Sequence, residues 1–180
     1  MGFAYTPLDI RSPNYQKKIN HIYRRTESLR GFIINSSIEL EWYLNNLIRS
    51  YYAKDSPQDR KHVKNKFWTS ILNHLTFSRK IKIIKEMGLH KKKQFKKKYS
   101  TFIKRLDEVR DIRNGIAHNT FSVGLNLHVY LEKDLADFKY KRRRIITKKF
   151  RKIFRKEIID LMNICSILND YVRSTGIQKK

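Results

Sequence analysis

The chain has 180 residues, 40% of them hydrophobic. That is enough for one core, so a single folded domain is expected and wholesale disorder is excluded. Forty-one Lys and Arg face sixteen Asp and Glu, a formal net charge of +25 at pH 7, and the lone Cys165 excludes an internal disulfide framework and any Cys-based zinc knuckle.

A positive field of this size captures polyanions, and nucleic acid is the commonest polyanion in a cell. Two other readings of the charge stand beside this one. AT-rich coding enriches lysine, and a basic surface also binds anionic lipid. No apolar run approaches the length of a bilayer span, and Met1 to Tyr15 lacks the apolar stretch of a signal peptide. The expectation is an unexported, cytoplasmic protein without a membrane partner.

Ser12-Pro13 opens the first helix, with Pro where its missing N–H does no harm. Tyr15, Ile19, Ile22, Thr26, Leu29, Ile33, Ser36, Leu40, Tyr43, Leu47 and Tyr51 then recur at spacings of three and four, one stripe on a helix running to about Tyr52. Gly31 marks a place for a kink. Lys54-Asp55-Ser56-Pro57 reads as a turn, an N-cap and a Pro at the first helical position.

A second helix carries Val63, Phe67, Trp68, Ile71 and Leu75. A short third helix spans about Ser78 to Met87 and stops at Gly88. Lys91 to about Asn119 reads as one fourth helix. Leu125 to Glu132 and Phe138 to Thr147 have the alternation of two strands, joined near 134–137. Thr147 caps a last helix with Phe150, Phe154, Ile158, Leu161, Cys165, Leu168 and Val172 on its apolar side.

Chemistry concentrates at Arg110-Asp111-Ile112-Arg113-Asn114-Gly115-Ile116-Ala117-His118-Asn119. On a helical wheel Phe102, Leu106, Val109, Ile112 and Ile116 share the core side. Asn114 and His118 are neighbours on a nearly opposite face, with Asp107 and Asp111. Arg113 lies about 100° from Asn114, within reach for a long side chain. The helix is therefore expected to present Arg113, Asn114 and His118 away from its own core, against some further surface.

Arg113-Asn114-x-x-Ala117-His118 resembles the R-x4-6-H motif of the HEPN superfamily, including the polar residue after the Arg. Ser37-Ile38-Glu39-Leu40 on a long first helix and Leu75-Thr76-Phe77-Ser78-Arg79-Lys80-Ile81 before the motif helix agree with it. The likeness covers about residues 15 to 120, with the last helix completing the bundle. It implies an all-α, HEPN-like helical bundle of four to five helices with a long first helix. To this the sequence adds a small β-hairpin insertion before the last helix. The whole reads as one domain over 1–180, with a core at 13–119, the hairpin at 125–147 and the C-terminal helix at 148–174.

The resemblance further implies a homodimer whose two motifs meet in one metal-independent ribonuclease site, with no metal ligands and no cofactor. Cleavage of RNA without a metal uses the neighbouring 2′-OH as nucleophile, and His118 is suited to take its proton. Arg113 meets the phosphate oxygens as charge gathers there. His118 of the partner subunit protonates the leaving 5′-oxygen, and Asn114 orients the phosphate or the imidazole. The products would be a 2′,3′-cyclic phosphate or 3′-phosphate and a 5′-hydroxyl. Family habit adds a toxin or antiviral-defence role and a regulatory protein partner. The chain departs from the family where a modified Tyr follows the motif: Thr120 stands there, so pairing with a nucleotidyltransferase antitoxin is not expected.

Glu39, beside the core stripe of the first helix, and Asp111 are candidates to support Arg113; Glu39 reads equally as a boundary acid, and Asp111 as one side of an ordinary helix-surface ion pair with Arg113 or His118. Residues 139–156 hold eleven basic side chains in eighteen. Among them Lys139, Lys141, Arg142, Arg143, Arg144, Lys148, Lys149, Arg151 and Lys152 are candidates for an RNA-backbone track, and Lys91 to Lys98 for a second. The alternative functions are a non-catalytic HEPN-like RNA-binding or scaffold subunit of a larger complex, and a basic structural or membrane-surface protein.

Overall fold

The computed structural model describes residues 13–52, 61–118, 139–140, 143–144 and 148–175. Six α-helices dominate them: α1 (Pro13–Tyr52), α2 (Lys61–His74), α3 (Phe77–Met87), α4 (Lys93–Tyr99), α5 (Phe102–His118) and α6 (Lys148–Thr175), with a single 3-10 turn at Leu89–Lys91. The expected all-α architecture with its long first helix is present. None of these helices is long and apolar enough to cross a membrane.

The bundle is organised on α1 and α6. Leu29, Ile33, Leu40, Leu44, Leu47 and Ile48 of α1 are buried against Phe154, Ile158, Leu161, Cys165, Leu168 and Val172 of α6 and the other helices. All seven apolar residues expected on the last helix are in the core. The two helices run parallel. Arg151 donates to Ser28 near the start of the seam and Arg173 to Ser50 near its end, both across a constant separation of 123 residues. Phe32 meets Phe154 edge-on between them, ring centroids 6.1 Å apart. At 1.5 Å per residue that seam is about 33 Å long. Parallel neighbours need a crossover, and α2 to α5 lie within it.

Gly31 does not break α1, which stays one helix of 40 residues. A Cβ at Gly31 would meet nothing within 4 Å. Gly31→Ala therefore removes the entropic penalty of glycine without a clash, and should stabilise the fold by about 0.5–1 kcal/mol. A thermal melt in which the variant unfolds no later than the parent would contradict this account of α1.

Thr76 opens α3, its hydroxyl accepting from the Arg79 amide at 3.2 Å, and Gly88 closes it in the left-handed region at φ 66°. Only glycine adopts that conformation without strain, so the helix stops here.

Two expectations change. The single helix over 91–119 is two, α4 and α5, separated at Ser100-Thr101. Phe95, Tyr99, Phe102 and Leu106 keep helical spacing across the break, so periodicity alone does not reveal it. The Thr101 carbonyl accepts from the Arg105 amide at 2.9 Å and starts the new helix. Ser and Thr side chains compete with helical hydrogen bonds and favour this kind of boundary. The second expected strand, 138–147, is also not one strand. Lys139–Tyr140 pairs antiparallel with Arg143–Arg144, Lys139 opposite Arg144 and Tyr140 opposite Arg143. The cationic run Lys141 to Arg144 offers no apolar alternation to hold a longer strand on a core. The first expected strand, 125–132, the joint at 134–137 and the Thr147 cap lie outside the described residues.

Candidate functional site

Helix α3 buries Phe77, Ile81, Ile84 and Met87, and Lys80 lies on the same face. A lysine among these apolar positions needs a partner, because an unpaired buried charge is costly. Glu41 of α1 is that partner. Its Oε2 accepts from Lys80 Nζ at 2.7 Å, with the Lys80 side chain only 3% exposed.

The other oxygen of Glu41, Oε1, lies 3.3 Å from Arg113 Nη2. The Arg113 guanidinium also rests over the Phe77 ring, 5.7 Å from its centroid, a cation–π contact favourable in a partly dry setting. One carboxylate thus bridges two cations from two other helices. The cluster keeps a formal charge of +1, and 28% of the Arg113 side chain stays exposed. Lys80 offsets the charge of Glu41, which leaves the guanidinium electrostatically able to attract a further anion.

Arg113, Asn114 and His118 all lie in α5, with Asn114 and His118 one turn apart along it. Asn114 is half-buried. The His118 side chain falls outside the described residues, so the expected meeting of guanidinium and imidazole does too. Arg113 itself is turned toward α1 and α3 at the edge of the core, rather than across to the Asn114 face.

The carboxylates near the motif sort differently from expectation. Glu39 does not reach Arg113; it pairs with Arg155 of α6. Two residues along α1 is a rotation of about 200°, so Glu39 faces α6 while Glu41 faces α3 and α5. Asp111 pairs with Arg110 at 2.8 Å, and Asp107 pairs with the same arginine, so neither serves Arg113. Of the expected RNA track, Arg151 and Lys152 have described side chains. Arg151 stacks over Phe32, 5.7 Å from its centroid, and Lys152 is exposed. Lys141 and Arg142, and the side chains of Lys139, Arg143, Arg144, Lys148 and Lys149, lie outside the described residues.

Sequence reasoning gave Glu41, Lys80 and Phe77 no role at the site, although Phe77 and Lys80 fall in the segment that supports the resemblance. The signal was present on the wheel: Lys80 falls between Phe77 and Ile84 at helical spacing, on the apolar side of α3. Glu41 follows Ser37 by four and precedes Leu44 by three, at the margin of the α1 stripe. Ser37 is itself buried and donates to the Ile33 carbonyl at 2.8 Å.

Among the described residues no three His, Cys, Asp or Glu side chains gather as metal ligands would. Cys165 is buried in the core, and burial pushes its thiol far above the usual range, which suits a packing role. His90, in the 3-10 turn, is also buried, with Nδ1 unpartnered. Desolvation first, then Lys91 and Lys85, lowers its pKa below 6.5. The folded state therefore resists protonating His90 while the unfolded chain accepts the proton. Its contribution to stability is intact above the unfolded pKa and is lost as pH falls from there toward the lower folded value. His90→Phe should flatten the melting temperature between about pH 7 and pH 5 relative to the parent; parallel curves would show that other groups carry the acid sensitivity.

Comparison with known proteins finds no family model, no curated protein and no solved structure that matches the chain.

Proposed function

We propose that the chain is a metal-independent endoribonuclease of HEPN type, acting as a homodimer on RNA in a toxin or antiviral-defence role. The reading is carried by Arg113-Asn114-x-x-Ala117-His118 on one unbroken helix, with the Arg113 guanidinium prepositioned by Glu41 and Phe77 and still partly open. A fixed arginine meets a phosphate without first losing rotamer freedom, which is how positioned charge stabilises a phosphoryl transition state. The imidazole at 118 supplies the proton relay for the 2′-OH. The net charge of +25 supplies capture of the polyanion.

The direct test incubates the purified chain with total RNA in EDTA and analyses the new ends. A 2′,3′-cyclic phosphate (or 3′-phosphate) with a 5′-hydroxyl supports the proposal; intact RNA at every protein concentration overturns it. A second reading takes its support from the Arg113–Glu41 bridge, which also serves to lock α5 onto α1. On that reading the chain is a non-catalytic HEPN-like subunit that docks RNA or a larger effector, and RNA binding survives loss of both Arg113 and His118.

A further inference from the structure

We infer that the outer edge of α3 and the segment 91–98 form a track for the sugar–phosphate backbone of single-stranded RNA, leading away from the Arg113 end of the bundle. The inference rests on RNA being the partner, and is independent of whether the chain cuts it.

Cations are dense and acids scarce along this edge of the bundle. Elsewhere several arginines meet acids, Arg30 with Glu27, Arg105 with Glu157 and Asp160, Arg110 with Asp107 and Asp111 and Arg155 with Glu39, while Arg49, Arg151 and Arg173 donate to Asn46, Ser28 and Ser50. Arg79, Lys82 and Lys85 of α3 and all six lysines between 91 and 98 are exposed. Among the described residues no salt bridge joins any of these nine to a carboxylate. Between residues 77 and 106 the only acid is Glu86. Nine like charges here repel one another, and a bound polyanion relieves that repulsion while releasing its own counterions.

The placement suits a strand entering the site. Phe77, at the start of α3, lies against Arg113 near the end of α5, Lys80 shares Glu41 with that arginine, and the chain passes from the end of α3 through 91–98 to the start of α5. The cations of α3 therefore lead from the Arg113 cluster toward the lysine run, a distance of about 16 Å for an 11-residue helix.

The surface also discriminates between polyanions. Phe77, Ile81, Ile84, Met87, Leu89 and Tyr99 are all buried, and Ile83 and Phe95 are packed against the core. No large apolar side chain stands out to enter the acyl region, as membrane-surface helices require. No exposed ring stands ready to stack bases either, so the track should hold the backbone with little sequence preference.

The test measures binding of the full chain to a single-stranded, fully 2′-O-methylated oligonucleotide of mixed sequence, which lacks the hydroxyl needed for cleavage. Fluorescence anisotropy is followed from about 50 to 200 mM salt. Lys93→Gln/Lys96→Gln/Lys97→Gln should reduce the slope of log K against log salt by about 2, and weaken binding at about 0.1 M salt on the order of 100-fold. Arg79→Gln/Lys82→Gln/Lys85→Gln should act in the same direction. A control, Lys17→Gln/Arg24→Gln/Lys156→Gln, removes three other exposed cations and should change both quantities far less. Equal losses in control and track variants would reduce the effect to bulk charge and overturn the track. So would an unchanged slope, or loss of binding to phosphatidylserine vesicles with oligonucleotide binding intact. Because the probe cannot be cut, a catalytically silent protein that loses binding on these substitutions keeps the track and sinks only the nuclease reading.

Discussion

His118→Ala is expected to lower RNA cleavage in EDTA by about 10²- to 10⁴-fold, the usual contribution of a positioned general acid–base group. In the proposed dimer the one shared site takes its base from one His118 and its acid from His118 of the partner subunit. Mixing the parent with an excess of His118→Ala chains should therefore lower activity below what dilution alone gives, since every mixed dimer lacks either the base or the acid. Equal cleavage by parent and His118→Ala would remove the histidine from the chemistry. Activity of the mixture equal to that of the diluted parent, with mixed dimers shown by sedimentation, would separate the two motifs in space. Lys at position 113 keeps the charge and loses the planar fork, so Arg113→Lys should remain well below the parent.

The second large effect is on stability. Glu41→Gln leaves the Lys80 ammonium, 3% exposed, without its counter-charge, and also frees Arg113. Breaking one side of a buried pair costs about 3–5 kcal/mol. For a chain of this size that corresponds to a fall of roughly 6–20 °C in melting temperature. Glu41→Gln/Lys80→Met removes the orphaned charge and should recover most of the loss. A melt for Glu41→Gln within about 2 °C of the parent would show that Lys80 reaches solvent when unpaired. Below the melting temperature, cleavage by the double variant reports on positioning alone: the guanidinium is present but no longer held by Glu41.

The sequence made the first and last helices easy to read because they are long and strongly periodic. Seven apolar residues from Phe150 to Val172 recur at spacings of three and four, and a stripe of that length leaves little choice of face. The margins of α1 were harder. Leu44 and Ile48 are buried beside Leu40 and Leu47, yet the single stripe drawn through Tyr43 and Tyr51 passed them over, because a helix packed between α3, α5 and α6 buries a wider arc than one seam. The break at Ser100-Thr101 was hidden by unbroken apolar spacing on both sides of it.

At the candidate site the order of residues was legible and their partners were not. A wheel puts Arg113 at an angle from Asn114; it does not say that a carboxylate 72 positions earlier stands within 3.3 Å. Nor could it choose between Glu39 and Glu41, since both border the stripe and only the packing of two different helices assigns one to Arg155 and the other to Arg113. Lys80 was the one readable clue, a cation set among apolar neighbours.

The seam between α1 and α6 has a consequence for how the protein is made. Contacts such as Ser28 with Arg151 and Ser50 with Arg173 join segments 123 residues apart, so on a ribosome adding about 5–20 residues per second α1 waits roughly 6–25 s for the helix that covers it. During that interval its greasy side is a target for chaperones and for other nascent chains. A product cut short before α6 keeps the whole of α5 and its motif, yet has nothing to lay along α1. Translational truncation should thus yield material cleared by proteases, which spares the cell a half-assembled protein.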